Sequence, residues 1–291
     1  MKIGRRSLIA TGAAGAGITL AARIGLAQPA AAPISQARIV EILASPDRSA
    51  ADRTNDLRRK PEAMLAFIAV RPGITAFDVS AAGGYTTELL ARAIGPTGTV
   101  YGQSRPPRPA AQPATAPAAP EGNSHPNVPA AAPAPGGPRP SPVALADRAE
   151  KMKAAGVAAA PIVAVSRPFE DPVPPEVPAG SLDLVTLMFN YHDLGHLGVD
   201  RTAMNAALFR ALKSGGIYVI ADHAGRPGTG ISEAGTLHRI EEDFLRKEVE
   251  AAGFKLQAEG MFLRNPNDPR DKNTPDPAQP KDEFVLKFVK P

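Results

Sequence analysis

Histidine and aspartate side chains in the second half of the chain are of types suited to moving protons. His192 and Asp193 are adjacent, and so are Asp222 and His223, while His238 follows a glycine-rich segment. Because histidine titrates near neutral pH, it can act as a general base that a neighbouring aspartate orients. The same side chains can also bind a metal ion, but their long, irregular spacing does not specify one. We therefore predict no metal here, and catalytic roles for His192, Asp193, His223 and His238.

The elements predicted around these side chains bring them to one edge of a sheet. Asn190 and His192 follow the fourth predicted strand, and His223 ends the fifth. Ligands of open α/β sheets bind at the carboxyl ends of strands, so these groups are expected to line a small polar pocket. His238 is predicted to begin a helix, and the acidic run at 241–243 is most simply a solvated face of it. The alternative is that Glu242, one turn after His238, is the partner of that histidine. The alternative is that the histidines cap strand ends and hydrogen-bond the backbone.

A second segment suited to chemistry is the turn in AFDVSAAGGYTTELL, between a predicted strand and a predicted helix. The start of a helix exposes backbone N–H groups, and small residues such as Gly83 and Gly84 let a ligand come close to them. Ser80 and Ala82 stand where such turns usually have glycine, so a positive φ there is costly. Asp78, at the strand end, can accept from a ligand or brace the turn.

Strands and helices alternate along the chain, which indicates an α/β fold. Residues 34–70 have the apolar spacing of helices, and Pro61 suits the first turn of one. A loop and a long helix ending at Gly253 are predicted after the fifth strand. Apolar runs predict seven strands, at residues 74–80, 98–103, 160–168, 181–194 (with a polar turn at its end), 215–223, 255–263 and 282–290.

Four segments appear in the order that a known family has them. AFDVSAAGGYTTELLARAIGPTGTVY, LDLVTLMFNYHDL, RALKSGGIYVIADH and EAAGFKL resemble the class I S-adenosylmethionine-dependent methyltransferases over roughly residues 60–290. The NYHDL, DH and LHRI segments look closest to a group of exported bacterial methyltransferase-like proteins. The resemblance implies a doubly wound, Rossmann-like sheet of seven strands, mainly parallel, with the last strand antiparallel.

The resemblance also implies S-adenosylmethionine as the cofactor, with its methionine part along the turn. The acid that holds the ribose in the family falls at Gln103 or Ser104. Either can hydrogen-bond hydroxyl groups, but without the strength that a charge gives. The predicted cofactor-binding residues are Asp78, Ser80, Ala82, Gly83, Gly84, Tyr85, Gln103, Ser104 and Asn190.

Methyl transfer to an unknown small molecule is the function that this resemblance implies. The reaction needs a nucleophile held in line with the methyl group, and sometimes a base. Two alternatives stay open: a binding protein that keeps the fold with an altered pocket, and a metal-assisted enzyme that uses the histidines and aspartates. A nicotinamide-dependent dehydrogenase fits less well, because the AAGF segment and the last, short-loop strand suit methyltransferases better.

Charge and cysteine content exclude several classes. The chain has 33 Lys and Arg against 29 Asp and Glu, and four of the basic residues but no acid lie among the first 27 residues. The remainder is neutral, which gives no basis for a nucleic-acid partner. Because the chain has no cysteine, disulfides, thiolate zinc sites and cysteine nucleophiles are excluded.

Two segments differ from the rest in composition. Residues 1–27 have the basic start and weakly apolar run of a secretory signal peptide, and Arg5-Arg6 resembles a twin-arginine signal. The run is too short for a stable membrane span, so we expect a periplasmic or secreted protein. N-terminal helices at 28–70 and a methyltransferase-like domain at 71–291 would follow. Residues 105–142 hold 13 of the 32 prolines, and we predict a disordered insertion there.

Overall fold

Seven strands form a single sheet in the computed structural model, which describes residue 1, residues 31–106 and residues 139–291. In chain order they are β1 (Thr75–Val79), β2 (Thr99–Ser104), β3 (Ile162–Ser166), β4 (Leu182–Met188), β5 (Leu212–His223), β6 (Lys255–Gly260) and β7 (Glu283–Val289). Their order across the sheet is β3-β2-β1-β4-β5-β7-β6. Neighbours are parallel except that β7 runs antiparallel to β5 and β6. The predicted sheet, with its antiparallel last strand, is confirmed.

The described residues also form nine helices, of which three precede the first strand and six lie between strands. They are α1 (Gln36–Ala44), α2 (Ala50–Arg59), α3 (Pro61–Ile68), α4 (Tyr85–Ile94), α5 (Ser141–Ala154), α6 (Tyr191–His196), α7 (Arg201–Ala211), α8 (Ala234–Leu237) and α9 (Glu242–Ala251). Asp200 caps α7 by accepting from the N–H of Ala203.

Two hydrophobic clusters, one on each face, hold the helices to the sheet. Successive residues of a strand point to opposite faces, and in β1 Ala76 belongs to one cluster and Phe77 to the other. The cluster around Phe77 includes Leu208 of α7 and Val249 of α9. The cluster around Ala76 includes Leu90 of α4. Helices therefore cover both faces and leave the strand ends to form the site.

The N-terminal helices share a core with the sheet. Ser35 and Ser49 cap α1 and α2 by accepting backbone N–H groups, and Pro61 lies in the first turn of α3, as the sequence predicts. Ile39 of α1 and Ile68 of α3 are buried in the same cluster as Ala76 of β1. This packing holds α2 and α3 beside the carboxyl ends of the strands.

Two predicted segments lie outside the described residues. They are the export signal after Met1 and most of the predicted insertion, of which residues 107–138 are not described. Within the described ranges, none of the helices combines the length and the apolar character needed to cross a bilayer.

The long helix predicted to end at Gly253 is in fact two helices, and this corrects the position of His238. His238 ends α8 with a left-handed backbone (φ 51°) and does not begin a helix. The break is held by long-range hydrogen bonds: the N–H of Ile240 donates to the carbonyl of His223, and that of Gly225 donates to the carbonyl of Ile240. The end of β5 thus fixes the segment that carries His238, and α9 starts only at Glu242.

Candidate functional site

The carboxyl ends of β4 and β5 lie side by side, as predicted, and the chain turns sharply after β4. Phe189 has a left-handed backbone (φ 58°), and its N–H donates to the carbonyl of Ala221 across a 2.6 Å hydrogen bond. A bulky residue is an outlier in this region of backbone space. The turn directs the next residues into α6, which brings His192 over the end of β5.

His192 and Asp222 form a buried pair. The ring Nδ1 lies 2.6 Å from one carboxylate oxygen of Asp222, and the backbone N–H of His192 donates to the other at 2.8 Å. Burial lowers the pKa of His192, but the charge of Asp222 and hydrogen bonds with Asp193 and Asp222 outweigh it and raise that pKa to about 10. At neutral pH the free ring therefore keeps its proton and acts as a donor. This pKa favours a donor role for His192 at neutral pH, and its role as a base stays a prediction.

Three of the four predicted catalytic side chains meet at one point. The Nε2 atom of His192 lies 3.3 Å from Nδ1 of His238, and each of these nitrogens lies 3.2 Å from Oδ1 of Asp193. Burial alone would raise the pKa of Asp193, but hydrogen bonds from the two histidines lower it well below its usual range. Asp193 is the member that reaches solvent, because 25 % of its side chain is exposed against 1 % and 7 % for the histidines. We call these three residues the His–Asp–His triangle.

His223, the fourth predicted catalytic residue, lies beside the triangle and points elsewhere. Its ring centroid is 5.4 Å from that of His192 and 5.6 Å from that of Phe189. Its Nδ1 lies 2.9 Å from a carboxylate oxygen of Glu283 at the start of β7. His223 is fully buried, so its place is in the packing beneath the site.

Glu242 and Arg239 have structural partners rather than the expected ones. The carboxylate of Glu242 pairs with Arg264, so the alternative partnership with His238 is wrong. The reason is the helix break, which removes the one-turn spacing between the two residues. Arg239 is fully buried, pairs with Asp268 at 2.9 Å and donates to the carbonyl of Ala224. It anchors the segment that positions His238.

The turn after β1 keeps a glycine-type backbone without glycine at every position. Ser80, Ala82 and Gly84 have φ values of 58°, 46° and 80°. A left-handed conformation costs a residue with a side chain about 1–2 kcal/mol, and strain of this kind is concentrated at functional sites. Ala82 and Gly83 are exposed, and within the described residues their N–H groups meet no protein acceptor. The turn therefore holds two N–H donors in an exposed stretch just before the start of α4.

Asp78 braces this turn from inside the protein. It is buried and accepts hydrogen bonds from the hydroxyls of Thr87 in α4 and Thr186 in β4, at 2.6 and 2.7 Å. Burial raises the pKa of Asp78 to about 6, even though both hydrogen bonds lower it. Of the two roles that the sequence allowed for Asp78, bracing the turn is the one its contacts fit.

Gln103 also has internal partners. It is fully buried at the end of β2, where its Oε1 accepts from the N–H of Ser80 at 3.0 Å and its Nε2 donates to the carbonyl of Arg167 at 2.7 Å. Both polar ends of the amide are therefore engaged within the protein. Ser104, half-buried at the same strand end, is left as the predicted ribose contact.

A chain of hydrogen bonds joins the turn to the triangle. The hydroxyl of Ser80 donates to Oδ1 of Asn190 at 2.6 Å, and Nδ2 of Asn190 donates to Asp193 at 2.8 Å. Ser80, at a position where such turns usually have glycine, thus forms a side-chain hydrogen bond that glycine could not form. The predicted cofactor side and the predicted catalytic side are parts of one continuous site.

Residues of the N-terminal helices border the site, although none of them is among the predicted site residues. The guanidinium of Arg59 lies 3.9 Å from the centre of the Phe189 ring. The hydroxyl of Tyr85 donates to Asp56, which is held by a bidentate pair with Arg48. The charged run DRTNDLRRKP was the available signal, since such a run on a helix beside the strand ends supplies cations to a site.

Comparison with known proteins finds similarity in backbone fold alone. No family model matches the chain, and no curated protein matches it at the significance threshold. Among solved structures, a SAM-dependent methyltransferase from Aquifex aeolicus is 15 % identical, with a TM-score of 0.49 over 89 % of this chain and 100 % of that one. The [4+2]-cyclase SpnF is 16 % identical, with a TM-score of 0.47 over 90 % of this chain and 97 % of that one. At such identities the likeness does not say which side chains act.

The site therefore has two halves of different chemistry. The turn offers exposed N–H donors at a helix start, which suit an anionic group. The triangle offers the carboxylate oxygen of Asp193 to a hydrogen-bond donor. If the two ring nitrogens give up their hydrogens, all three atoms together suit a cation. Asn190 and Ser80 hold the halves in register.

Proposed function

We propose that the chain is an S-adenosylmethionine-dependent methyltransferase that acts on a small molecule. The observation that carries this proposal is the turn after β1, where strained residues hold two exposed N–H donors beside a polar cluster at the ends of β4 and β5. Backbone strain of the kind found at Ser80 and Ala82 is concentrated where the backbone contacts a ligand. The topology of the sheet agrees with the proposal.

The residues present fit the cofactor at its methionine end. The carboxylate of that group would accept from the N–H groups of Ala82 and Gly83, next to the start of α4. At the ribose end, Ser104 supplies a neutral hydroxyl in place of an acid. We therefore expect the affinity to rest mainly on the turn. When bound, the cofactor supplies an electrophilic methyl group.

The side chains of the site have separate tasks in this proposal. Asp193, the triangle member that reaches solvent, would accept a hydrogen bond from an O–H or N–H group of the substrate. Asn190 fixes the rotamer of Asp193 through its other carboxylate oxygen. Holding the acceptor in one orientation next to the methyl group is the main contribution that methyl transfer needs.

Two finer expectations belong to this proposal. The NYHDL, DH and LHRI segments support a place in the group of exported bacterial methyltransferase-like proteins, and the sequence of residues 1–27 supports export to the periplasm or beyond. A small-molecule substrate is favoured because the part of the chain outside the signal is neutral and offers no basic face to nucleic acid.

Titration calorimetry with S-adenosylmethionine and S-adenosylhomocysteine tests the proposal. The informative variant is Gly83→Asp, which adds a negative charge where the carboxylate would bind, with Gly83→Asn as its uncharged match. Among the described residues, chain neighbours aside, a Cβ atom at this position meets no atom within 4 Å, so both variants should fold. We expect Gly83→Asp to weaken binding at least about tenfold relative to Gly83→Asn. Absence of heat for the folded wild-type chain, or equal affinities of the two variants, would contradict the proposal.

A further inference from the structure

The His–Asp–His triangle has the geometry of a metal-binding site. Its three ligand atoms are separated by 3.3, 3.2 and 3.2 Å, which makes the triangle nearly equilateral. We propose that His192, Asp193 and His238 bind a divalent first-row transition-metal ion, with Zn²⁺ as the reference ion. This revises the prediction from spacing that no metal binds here. It also excludes His223, which pairs with Glu283 instead.

The edge lengths match the bond lengths of such an ion. Zinc binds imidazole nitrogen and carboxylate oxygen at about 2.0–2.2 Å, with tetrahedral angles that place two ligand atoms about 3.3 Å apart. A triangle of this size has its centre about 1.9 Å from each corner, so an ion with such bonds would lie about 0.8 Å out of the plane. The side chains need no rearrangement to reach those distances.

The two rings are oriented for a shared ligand. Their centroids are 5.4 Å apart and their planes are nearly perpendicular, at 83°. The facing nitrogens are 3.3 Å apart. This distance is shorter than the distance between the centroids by about two ring radii. The ring edges that carry Nε2 of His192 and Nδ1 of His238 therefore face each other, with Asp193 beside them.

Surrounding groups hold the ligands as they do in metal sites. Metal-binding histidines usually donate their other ring N–H to a carboxylate, and ligating carboxylates are themselves hydrogen-bonded. Asp222 accepts from Nδ1 of His192, which directs Nε2 to the triangle, and Asn190 donates to the second oxygen of Asp193. The left-handed backbone of His238 also supports a metal site, because such strain is concentrated where function requires a side chain in one particular position.

The donor set limits the kind of ion. Two imidazoles with one carboxylate suit Zn²⁺ and neighbouring first-row ions, whereas Mg²⁺ and Ca²⁺ prefer sites made of oxygen atoms. Three protein ligands leave a coordination position open, as in catalytic rather than structural sites. Asp193 is the partly exposed corner, so that position would take an oxygen, nitrogen or sulfur atom of a small molecule.

The contacts within the triangle also have an explanation without metal, and the experiment must distinguish it from metal binding. In it, both ring nitrogens carry hydrogens and donate to the single oxygen Oδ1 of Asp193. The two explanations differ in what the site does when metal is offered, because a purely hydrogen-bonded cluster would not hold Zn²⁺ at low micromolar concentration.

The test uses the full chain without a histidine tag, freed of metal by dialysis against a chelator. Zn²⁺ is titrated in competition with a chromophoric indicator, and Co²⁺ is titrated while its visible absorption is recorded. We expect one ion per chain and the intense bands of four-coordinate cobalt. Asp193→Asn and His238→Ala should each lose more affinity than the roughly 10–100-fold that changes around a metal's ligands cause. S-Adenosylmethionine is absent, so failure of the proposed function would not change this result.

His196→Ala is the matched control, because His196 lies on the same helix as His192 but outside the triangle. It should bind Zn²⁺ as the wild type does. Circular dichroism identifies any variant that fails to fold, and Asp193→Asn, which preserves shape, carries the test if His238→Ala does fail. Absence of binding below about 100 μM Zn²⁺, equal binding by the wild type and Asp193→Asn, or loss of binding in His196→Ala would each overturn the proposal.

Discussion

Four residues at the strand ends have a backbone conformation that side chains normally avoid. Ser80 and Ala82 have it in the turn after β1, Phe189 after β4 and His238 after α8. Each costs about 1–3 kcal/mol and must be stabilised by its surroundings. They are four of the seven non-glycine residues with positive φ in the described part of the chain; the other three are Lys60, Ala69 and Arg270. That four of the seven lie around one site is consistent with a link between strain and binding.

The two glycine-type positions of the turn should respond oppositely to substitution. Ala82→Gly relieves about 1–2 kcal/mol of strain and loses about 0.5–1 kcal/mol to the freedom of glycine in the unfolded chain. The free energy of unfolding should therefore stay the same or rise slightly. Gly84→Ala should lower it by about 2–3 kcal/mol, because its Cβ would lie 2.7 Å from Leu145. Urea unfolding measures both, and equal effects of the two changes would disagree with the turn described.

Asp78 should make stability depend on pH. Its pKa is raised from 3.8 to about 6 in the folded protein, so folding favours the protonated form. The contribution of Asp78 is therefore greatest below pH 4 and is lost as pH rises through 6, by up to about 3 kcal/mol.

Asp78→Asn removes this dependence and keeps the shape of the side chain. The free energy of unfolding of the wild type, relative to the variant, should fall between pH 4 and pH 7 and then level off. Urea unfolding of both proteins across that range isolates Asp78 from other titrating groups. If the difference in free energy of unfolding between the two proteins stays constant with pH, the pKa of Asp78 is not raised by folding.

At the scale of elements, the strands were predictable and the breaks between elements were not. Apolar runs flanked by glycine or charge predicted all seven strands, and Pro61 marked the start of a helix. The break at His238 depends on hydrogen bonds to the end of β5, far away in the chain. The internal role of Gln103 likewise depends on Arg167. Local patterns do not encode such contacts.

The end of β2 offers a test of how elements are joined. Gln103→Glu would restore the acid of the family but bury a carboxylate against the carbonyl of Arg167, which then lacks a donor. We expect a loss of about 2 kcal/mol or more in the free energy of unfolding and no gain in cofactor affinity. Ser104→Glu, at the half-buried neighbour, should stay close to wild-type stability and bind the cofactor more tightly. If Gln103→Glu were instead the more stable variant and the tighter binder of the cofactor, Gln103 would face the ligand.

At the scale of the molecule, the neutral charge outside the first 27 residues gives no basis for a nucleic-acid partner. The site could be located from sequence because the ends of β4 and β5 must be neighbours in this topology. The sequence could not show which three of the four predicted side chains converge, because their convergence depends on the left-handed turns at Phe189 and His238.

Export can be tested on the whole chain. Replacing Arg5 and Arg6 by lysine should retain the protein in the cytoplasm, because a twin-arginine signal requires the arginine pair. Fractionation of a bacterial host that expresses the wild type and the double variant, followed by immunodetection, measures this. Equal amounts of both proteins outside the cytoplasm would contradict the proposed signal.

The central claim is that the turn after β1 and the His–Asp–His triangle are two halves of one site. A crystal structure with S-adenosylhomocysteine and Zn²⁺ tests it most directly. It should place a carboxylate oxygen within about 3 Å of the N–H groups of Ala82 and Gly83. It should also place zinc on His192, Asp193 and His238. Cofactor density away from the turn, or zinc bound to other side chains while the triangle stays closed by hydrogen bonds, would contradict it.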